Sequence, residues 1–227
     1  SLHESDVITL VSESLKKDTY ENFSYDGEIE VIPNFIDFDR FNKQPKDHFK
    51  KMIAPANEKI IVHTSNFRKV KRVPDVVEIY KKIATQIPAK LLLIGDGPER
   101  PGVEAMCREC EVCKEVVFLG KQEAVEEILS VADLFIIPSA TESFGLAALE
   151  AMACEVPVIS TNSGGLPEVN IDGLTGFTSD IGDVEKMAND ALTILKDENL
   201  AQFKAQAKEH SLKYNLENIL PLYEKLY

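Results

Sequence analysis

The amino-acid sequence predicts a doubly wound α/β fold. Short apolar runs recur from residue 59 onward, and each is followed by about ten to fifteen residues of helical periodicity. The runs are apolar nearly throughout instead of alternating, as in the strands of a parallel sheet covered on both faces.

Taken in order, residues 6–12 read as a strand that leads directly into an amphipathic helix over residues 13–22. A second short strand, residues 29–32, is stopped by Pro33-Asn34. The polar stretch after it contains Pro45, so a linker is expected between Pro33 and Lys46. The chain opens on Ser1-Leu2, and residues 1–33 read as the end of another domain with the crossover out of it; residues 34–227 form the domain that follows. There, strands are expected at 59–63, 90–94, 116–119, 134–137 and 156–160, with helices at 74–86, 99–110, 123–131 and 146–154 and three more closing the chain. Ligands of such folds sit beyond the carboxyl ends of the strands, which directs attention to the loops after Ile94, Leu119, Ile137 and Ser160.

With 44% hydrophobic and 28% charged residues, the 227-residue chain can bury one sizeable core. Its apolar runs are far short of a membrane span, and the expectation is a soluble, cytoplasmic protein. A net charge of −13 repels nucleic acid and acidic lipid, so neither is expected as a partner, and an anionic ligand would need a local basic pocket. Cys107, Cys110 and Cys113 repeat every third residue, but Cys154 is remote and no Cys-Pro closes an iron–sulfur run. Buried or incidental thiols sharing one helix face are expected instead. His63 ends a strand within reach of a site; His3, His48 and His210 read as surface residues.

The strongest chemical signal is the segment from Pro138 through Thr141-Glu142-Ser143-Phe144-Gly145-Leu146 to Glu150-Ala151-Met152-Ala153. A strand end, a short polar loop and a helix start leave the Phe144, Gly145 and Leu146 amides pointing outward, which makes an anion site. Gly145 permits close approach of a phosphate to the backbone. Glu142 sits in the loop, and Glu150, eight positions later, lies two turns along the helix on nearly the same face. Carboxylates repel phosphate, so they suit neutral hydroxyls such as those of a sugar and a ribose. Glu150 stands on a helix apolar nearly all round, where a buried carboxylate needs a partner.

These residues resemble the signature of the retaining glycosyltransferases of family 4. Val31-Ile32-Pro33-Asn34-Phe35-Ile36-Asp37, Leu93-Ile94-Gly95-Asp96-Gly97-Pro98, Phe118-Leu119-Gly120 and Gly164-Gly165-Leu166-Pro167-Glu168 agree in order and spacing. The resemblance implies a Rossmann-like, nucleotide-sugar-binding C-terminal domain of the GT-B architecture over residues 34–227, preceded by the end of the acceptor domain. It implies that Glu150 binds the ribose, that Glu142 contacts sugar hydroxyls, and that Ser143, Phe144, Gly145 and Leu146 meet the sugar and diphosphate. The backbone at Phe118 and Leu119 is then expected to read the base.

A basic segment, Ser65-Asn66-Phe67-Arg68-Lys69-Val70-Lys71-Arg72, lies where the family usually carries Gly-Arg-Leu-x-x-x-Lys-Gly gripping the phosphates. Lys71 matches the lysine, Ser65 and Asn66 replace Gly-Arg, and Arg68 is the candidate for the missing positive charge. Preceded by His63-Thr64, this variant resembles the branch of the family that transfers N-acetylglucosamine from UDP to L-malate in bacillithiol assembly. The resemblance implies UDP-N-acetylglucosamine as a substrate, a hydroxyl acceptor held mostly by the preceding domain, and no cofactor or metal; homo-oligomerisation is left open. Lys71, Arg68 and Glu142 are the expected catalytic residues, with neither glutamate a covalent nucleophile. The alternatives are a family 4 hexosyltransferase of other donor or acceptor, a GT-B epimerase, disfavoured by the glutamate pair, and a module that binds nucleotide sugar without turnover.

Several motifs are set aside. Gly95-x-Gly97 is not a dinucleotide fingerprint, because Arg100 stands at the third glycine position. Asp37-Phe38-Asp39 is expected to serve a cap or turn instead of a metal. Gly164-Gly165 opens a helix, as a tight turn or a turn close to phosphate.

Overall fold

The computed structural model describes residues 5–226, the side chains of Val112 and Cys113 excepted; His3 therefore lies outside the described residues. A parallel pair, β1 (Ile8–Leu10) and β2 (Ile29–Val31), brackets helix α1 (Glu13–Asn22), whose first turn is capped by the Ser12 hydroxyl accepting from the Leu15 amide at 3.0 Å. The expected linker has no helix or strand but is anchored at two points. Ile36 and Phe41 are buried, Ile36 bridges to Asn215, and the stretch runs into a helix, α2 (Asp47–Ile53), that the sequence reading did not anticipate. Seven residues give too short a periodic run to stand out.

The main sheet contains β3 (Lys59–Ser65), β4 (Ala89–Gly95), β5 (Val116–Gly120), β6 (Leu134–Ile137), β7 (Val158–Thr161) and β8 (Gly176–Ser179). All its pairings are parallel, in the order β5-β4-β3-β6-β7-β8. Leu91 and Leu93 pack on one face and Leu92 and Ile94 on the other, as the two-residue period of a strand requires. Helices α3 (Val73–Ala84) and α8 (Val184–Leu195) cover the first face. Helices α5 (Val125–Leu129) and α6 (Leu146–Ala153) cover the second, where Ala207 of α9 (Asp197–Ser211) joins them. Helix α4 (Arg100–Arg108) follows β4, the short α7 (Leu166–Val169) follows β7, and α10 (Leu216–Glu224) closes the chain.

Burial of both sheet faces explains why apolar runs marked the strands. β8 escaped because Gly-Phe-Thr-Ser has no such run; it is an edge strand, held by its ladder to β7. The chain runs outward through β3, β4 and β5, then returns past β3 to build β6, β7 and β8. That reversal opens a crevice between the loops that follow β3 and β6. At the other end of the sheet, buried Asp133 receives Lys50 and Lys204, each at 2.8 Å, which neutralises it.

Candidate functional site

The loop from Ser139 to Gly145 is pinned through its carbonyls. Ser139 accepts from the Thr161 hydroxyl at 2.6 Å, Ala140 from Ser163 at 2.7 Å, Glu142 from the Gly165 amide at 2.8 Å, and Ser143 from Ser12 at 2.6 Å. The Ala140 amide in turn donates to the Val70 carbonyl at 2.7 Å, joining this loop to the basic one across the crevice. The amides of residues 141–147 donate to no acceptor among the described residues. With the carbonyls turned inward and the amides unengaged at the start of α6, the loop offers the kind of donors that can cradle an anion. Gly145 adopts φ 101°, which strains any side chain, and a Cβ there would also press on Leu166 Cδ2 at 2.8 Å.

Facing this loop, Lys71 Nζ lies 2.5 Å from Glu142 Oε1, which also accepts from the buried Ser139 hydroxyl at 3.0 Å. The sequence reading gave lysine and glutamate separate partners; the fold brings them together. Glu142 lies in the loop before α6 and Glu150 on the helix, as expected. Arg68 is exposed and forms no ion pair among the described residues, whereas Arg72 is bound to Asp75 at 2.6 Å. The Ser65 hydroxyl is engaged within the protein, by His63 Nε2 at 2.8 Å and the Phe67 amide at 3.2 Å, while neighbouring Asn66 is exposed.

His63 does not reach the crevice. It is fully buried beneath it, with Nδ1 2.8 Å from the Ile136 carbonyl, so it braces β3 against β6 at the reversal of strand order. Burial, with the Lys71 charge adding to it, holds its pKa down to about 4. Gly95 and Gly97 serve the same loop: a Cβ at either would meet the Ser65 or Asn66 carbonyl at 1.8 or 2.0 Å, so the two glycines allow the turn after β4 to press against it.

Glu150 is half-buried on α6, and its carboxylate accepts no hydrogen bond among the described residues. Burial pushes its pKa up to about 7, opposed by Arg40 and reinforced by Glu126. Arg40, absent from the sequence reading, is itself fixed by Glu126 at 3.1 Å and the Glu123 carbonyl at 2.6 Å. At the end of β5 the register skips: Leu93 pairs with Phe118 and Ile94 with Gly120, leaving Leu119 as a bulge outside the ladder. Arg100 lies over the Phe118 ring at 5.8 Å.

Other expectations resolve as follows. Asp37 makes a turn, its carboxylate accepting from the Asp39 amide at 2.9 Å. The cysteines do not share a helix face, because α4 ends at Arg108 and Cys110 follows it; the Cys113 side chain lies outside the description. Cys154 is wholly buried, which pushes its thiol up to about 12. His48 is exposed, but His210 is not a surface residue: it is turned into the protein from α9, with its ring 6.0 Å from that of Tyr214.

Comparison with known proteins bears on this geometry. The family model described as glycosyl transferases group 1 matches residues 44–211. N-acetyl-alpha-D-glucosaminyl L-malate synthase of Bacillus anthracis is 42% identical over 100% of this chain and 60% of its own length. D-inositol 3-phosphate glycosyltransferase of Mycolicibacterium smegmatis is 30% identical, over 82% of this chain and 44% of its own. Among solved structures, sucrose-phosphate synthase from Thermosynechococcus elongatus superposes with a TM-score of 0.89 at 27% identity, covering 99% of this chain and 58% of its own. The Anabaena protein HepE, solved with UDP and glucose, gives 0.87 at 21% identity over 98% and 63%, a likeness of fold. The chain thus spans about six tenths of the length of the Bacillus relative. Among the described residues no helix is long and apolar enough to cross a membrane.

Proposed function

We propose, from the premise that this chain belongs to the glycosyl transferases of group 1, that it is the nucleotide-sugar-binding part of a retaining enzyme that transfers N-acetylglucosamine from UDP to the hydroxyl of L-malate. The observation that carries the reading is the run of unengaged amides over residues 141–147 with Lys71 facing it across the sheet reversal. The identity to the Bacillus anthracis synthase along the whole chain supports this choice of sugar and acceptor.

In this reading the diphosphate lies against the Ser143 to Leu146 amides, with Lys71 and Arg68 supplying fixed positive charge in a chain of net charge −13. The bond between the anomeric carbon and the β-phosphate oxygen breaks, its electron pair departs with UDP, and the sugar passes through an oxocarbenium-like state to which the L-malate hydroxyl oxygen bonds from the same face, its proton passing to the departing phosphate oxygen. Amides and cations that meet the departing charge stabilise that state more than the bound substrate. Glu142 takes sugar hydroxyls, Glu150 the ribose, and the backbone at Phe118 and Leu119 the base. No metal or cofactor is called for, and a cytoplasmic location goes with a nucleotide-sugar substrate.

In this reading the acceptor is held mostly by groups outside residues 1–227, in the part of the Bacillus relative's length that this chain does not cover. Calorimetry should therefore show saturable binding of UDP and UDP-N-acetylglucosamine, with little UDP release in the presence of L-malate. Robust transfer by residues 1–227 alone overturns this partition, and failure to bind UDP overturns the reading.

A further inference from the structure

The first turn of α1 is tied to the cradle by a ring of contacts that the proposed chemistry does not use. Ser12 is fully buried, donates to the Ser143 carbonyl at 2.6 Å and accepts from the Leu15 amide at 3.0 Å. The Glu168 carboxylate takes the next two amides of the turn, Glu13 at 3.0 Å and Ser14 at 2.9 Å. The Glu168 carbonyl accepts from Tyr214 Oη at 2.9 Å, and the Tyr214 ring meets Phe144 edge-on at 5.6 Å. Phe144 adjoins Ser143, which closes the ring.

We infer that Ser12 and Glu168 are positioning residues that couple the segment before the crossover to the sugar-nucleotide loop, so that the Ser143 to Leu146 amides are held for diphosphate only while α1 is docked. The inference rests on the proposed function for its ligand. The physical reason is local. Of the carbonyl contacts that turn this loop, three come from residues 161–165 in the neighbouring connection of the same sheet, and only that of Ser143 comes from beyond the crossover. A buried carbonyl deprived of its partner rotates toward another, carrying the following peptide amide with it.

Ser12→Ala removes the tie, Ser12→Thr keeps a capping hydroxyl, and Glu168→Gln leaves one acceptor for two amides. The readouts are calorimetry with UDP and with uridine, and amide hydrogen exchange over residues 139–147 without ligand. Expected are UDP binding weakened about tenfold in Ser12→Ala, the equivalent of one lost hydrogen bond, uridine binding unchanged, faster exchange in the loop, recovery in Ser12→Thr, and an intermediate loss in Glu168→Gln. Wild-type exchange in Ser12→Ala and Glu168→Gln overturns the coupling whatever UDP does. Equal weakening of UDP and uridine, or no recovery with threonine, reduces the residues to a general structural role and also overturns it. Wild-type protein that fails to bind UDP overturns the proposed function, and the exchange data still decide the coupling.

Discussion

Lys71 and Glu142 form a 2.5 Å salt bridge across the point where strand order reverses, one from the loop after β3 and the other from the loop after β6. Both side chains are largely buried, at 20% and 14% exposure, so the pair is held in one geometry. On the proposed function, a diphosphate at the cradle would compete with Glu142 for Lys71, while Ser139 holds the same carboxylate oxygen. Glu142→Gln should therefore leave UDP affinity unchanged or strengthen it while impairing use of the sugar, seen as a lower kcat in transfer by a chain that includes the acceptor side. Loss of UDP affinity with intact sugar use would reverse the assignment.

Glu150 gives a prediction with a defined sign. Its folded pKa, about 7, lies above the ordinary 4.5, so between those values the native state binds more protons than the unfolded one. Stability therefore falls as pH rises through that window. Glu150→Gln should be more stable than wild type above pH 7, by on the order of 3 kcal/mol, with the difference vanishing below about pH 4.5. UDP affinity should rise in wild type as the carboxylate ionises near pH 7 and stay flat and weaker in Glu150→Gln, by roughly 1.5–3 kcal/mol. Thermal unfolding and calorimetry across pH 4–8 read both effects, and a UDP affinity indifferent to the substitution would refute the ribose assignment.

His63 is expected to act through bracing, not chemistry. With its folded pKa near 4, below the ordinary 6.5, the unfolded state binds more protons between those values. This histidine's contribution to stability is therefore present above pH 6.5 and lost as pH falls through 4. Its ring resonances should show the neutral form down to about pH 4, and His63→Phe should lower Tm while abolishing the acid-side pH dependence assigned to this residue. Titration of the ring near pH 6.5 would contradict the buried, hydrogen-bonded placement.

Lys71→Ala and Arg68→Ala should each weaken UDP far more than uridine, because in the proposed reading only the diphosphate meets their charge. The two claims differ in footing: Lys71 stands inside the crevice beside Glu142, whereas Arg68 is exposed at its rim. Titration with uridine, UMP and UDP separates them. If Arg68→Ala binds UDP like wild type, Arg68 is a surface charge and the backbone near Asn66 is left to serve the phosphates.

Much of this was legible because parallel strands buried on both faces leave apolar runs, and because a strand end followed by Ser-Phe-Gly-Leu marks a helix start with outward amides. β4 to β7 and the helices between them appear within a few residues of where their patterns place them. What escaped depends on contacts distant in sequence. The Lys71–Glu142 pair needs β3 and β6 to be neighbours, and the Ser12 and Glu168 contacts need α1 to dock on the cradle. His210 is not legible as a buried residue, because a single histidine near the end of a helix carries no sign of which face turns inward. β8 was missed because its ladder to β7, not an apolar run, makes it a strand.

The central claim is that the amides of residues 141–147 receive the diphosphate of a UDP-sugar, and backbone NMR of isotopically labelled protein tests it most directly. Addition of UDP should shift the Ser143, Phe144, Gly145 and Leu146 amide resonances strongly, with smaller changes at Phe118 and Leu119, whereas uridine should perturb Phe118 and Leu119 and leave the cradle unmoved. UDP and uridine producing the same pattern, or UDP binding with the cradle amides unshifted, would contradict the account.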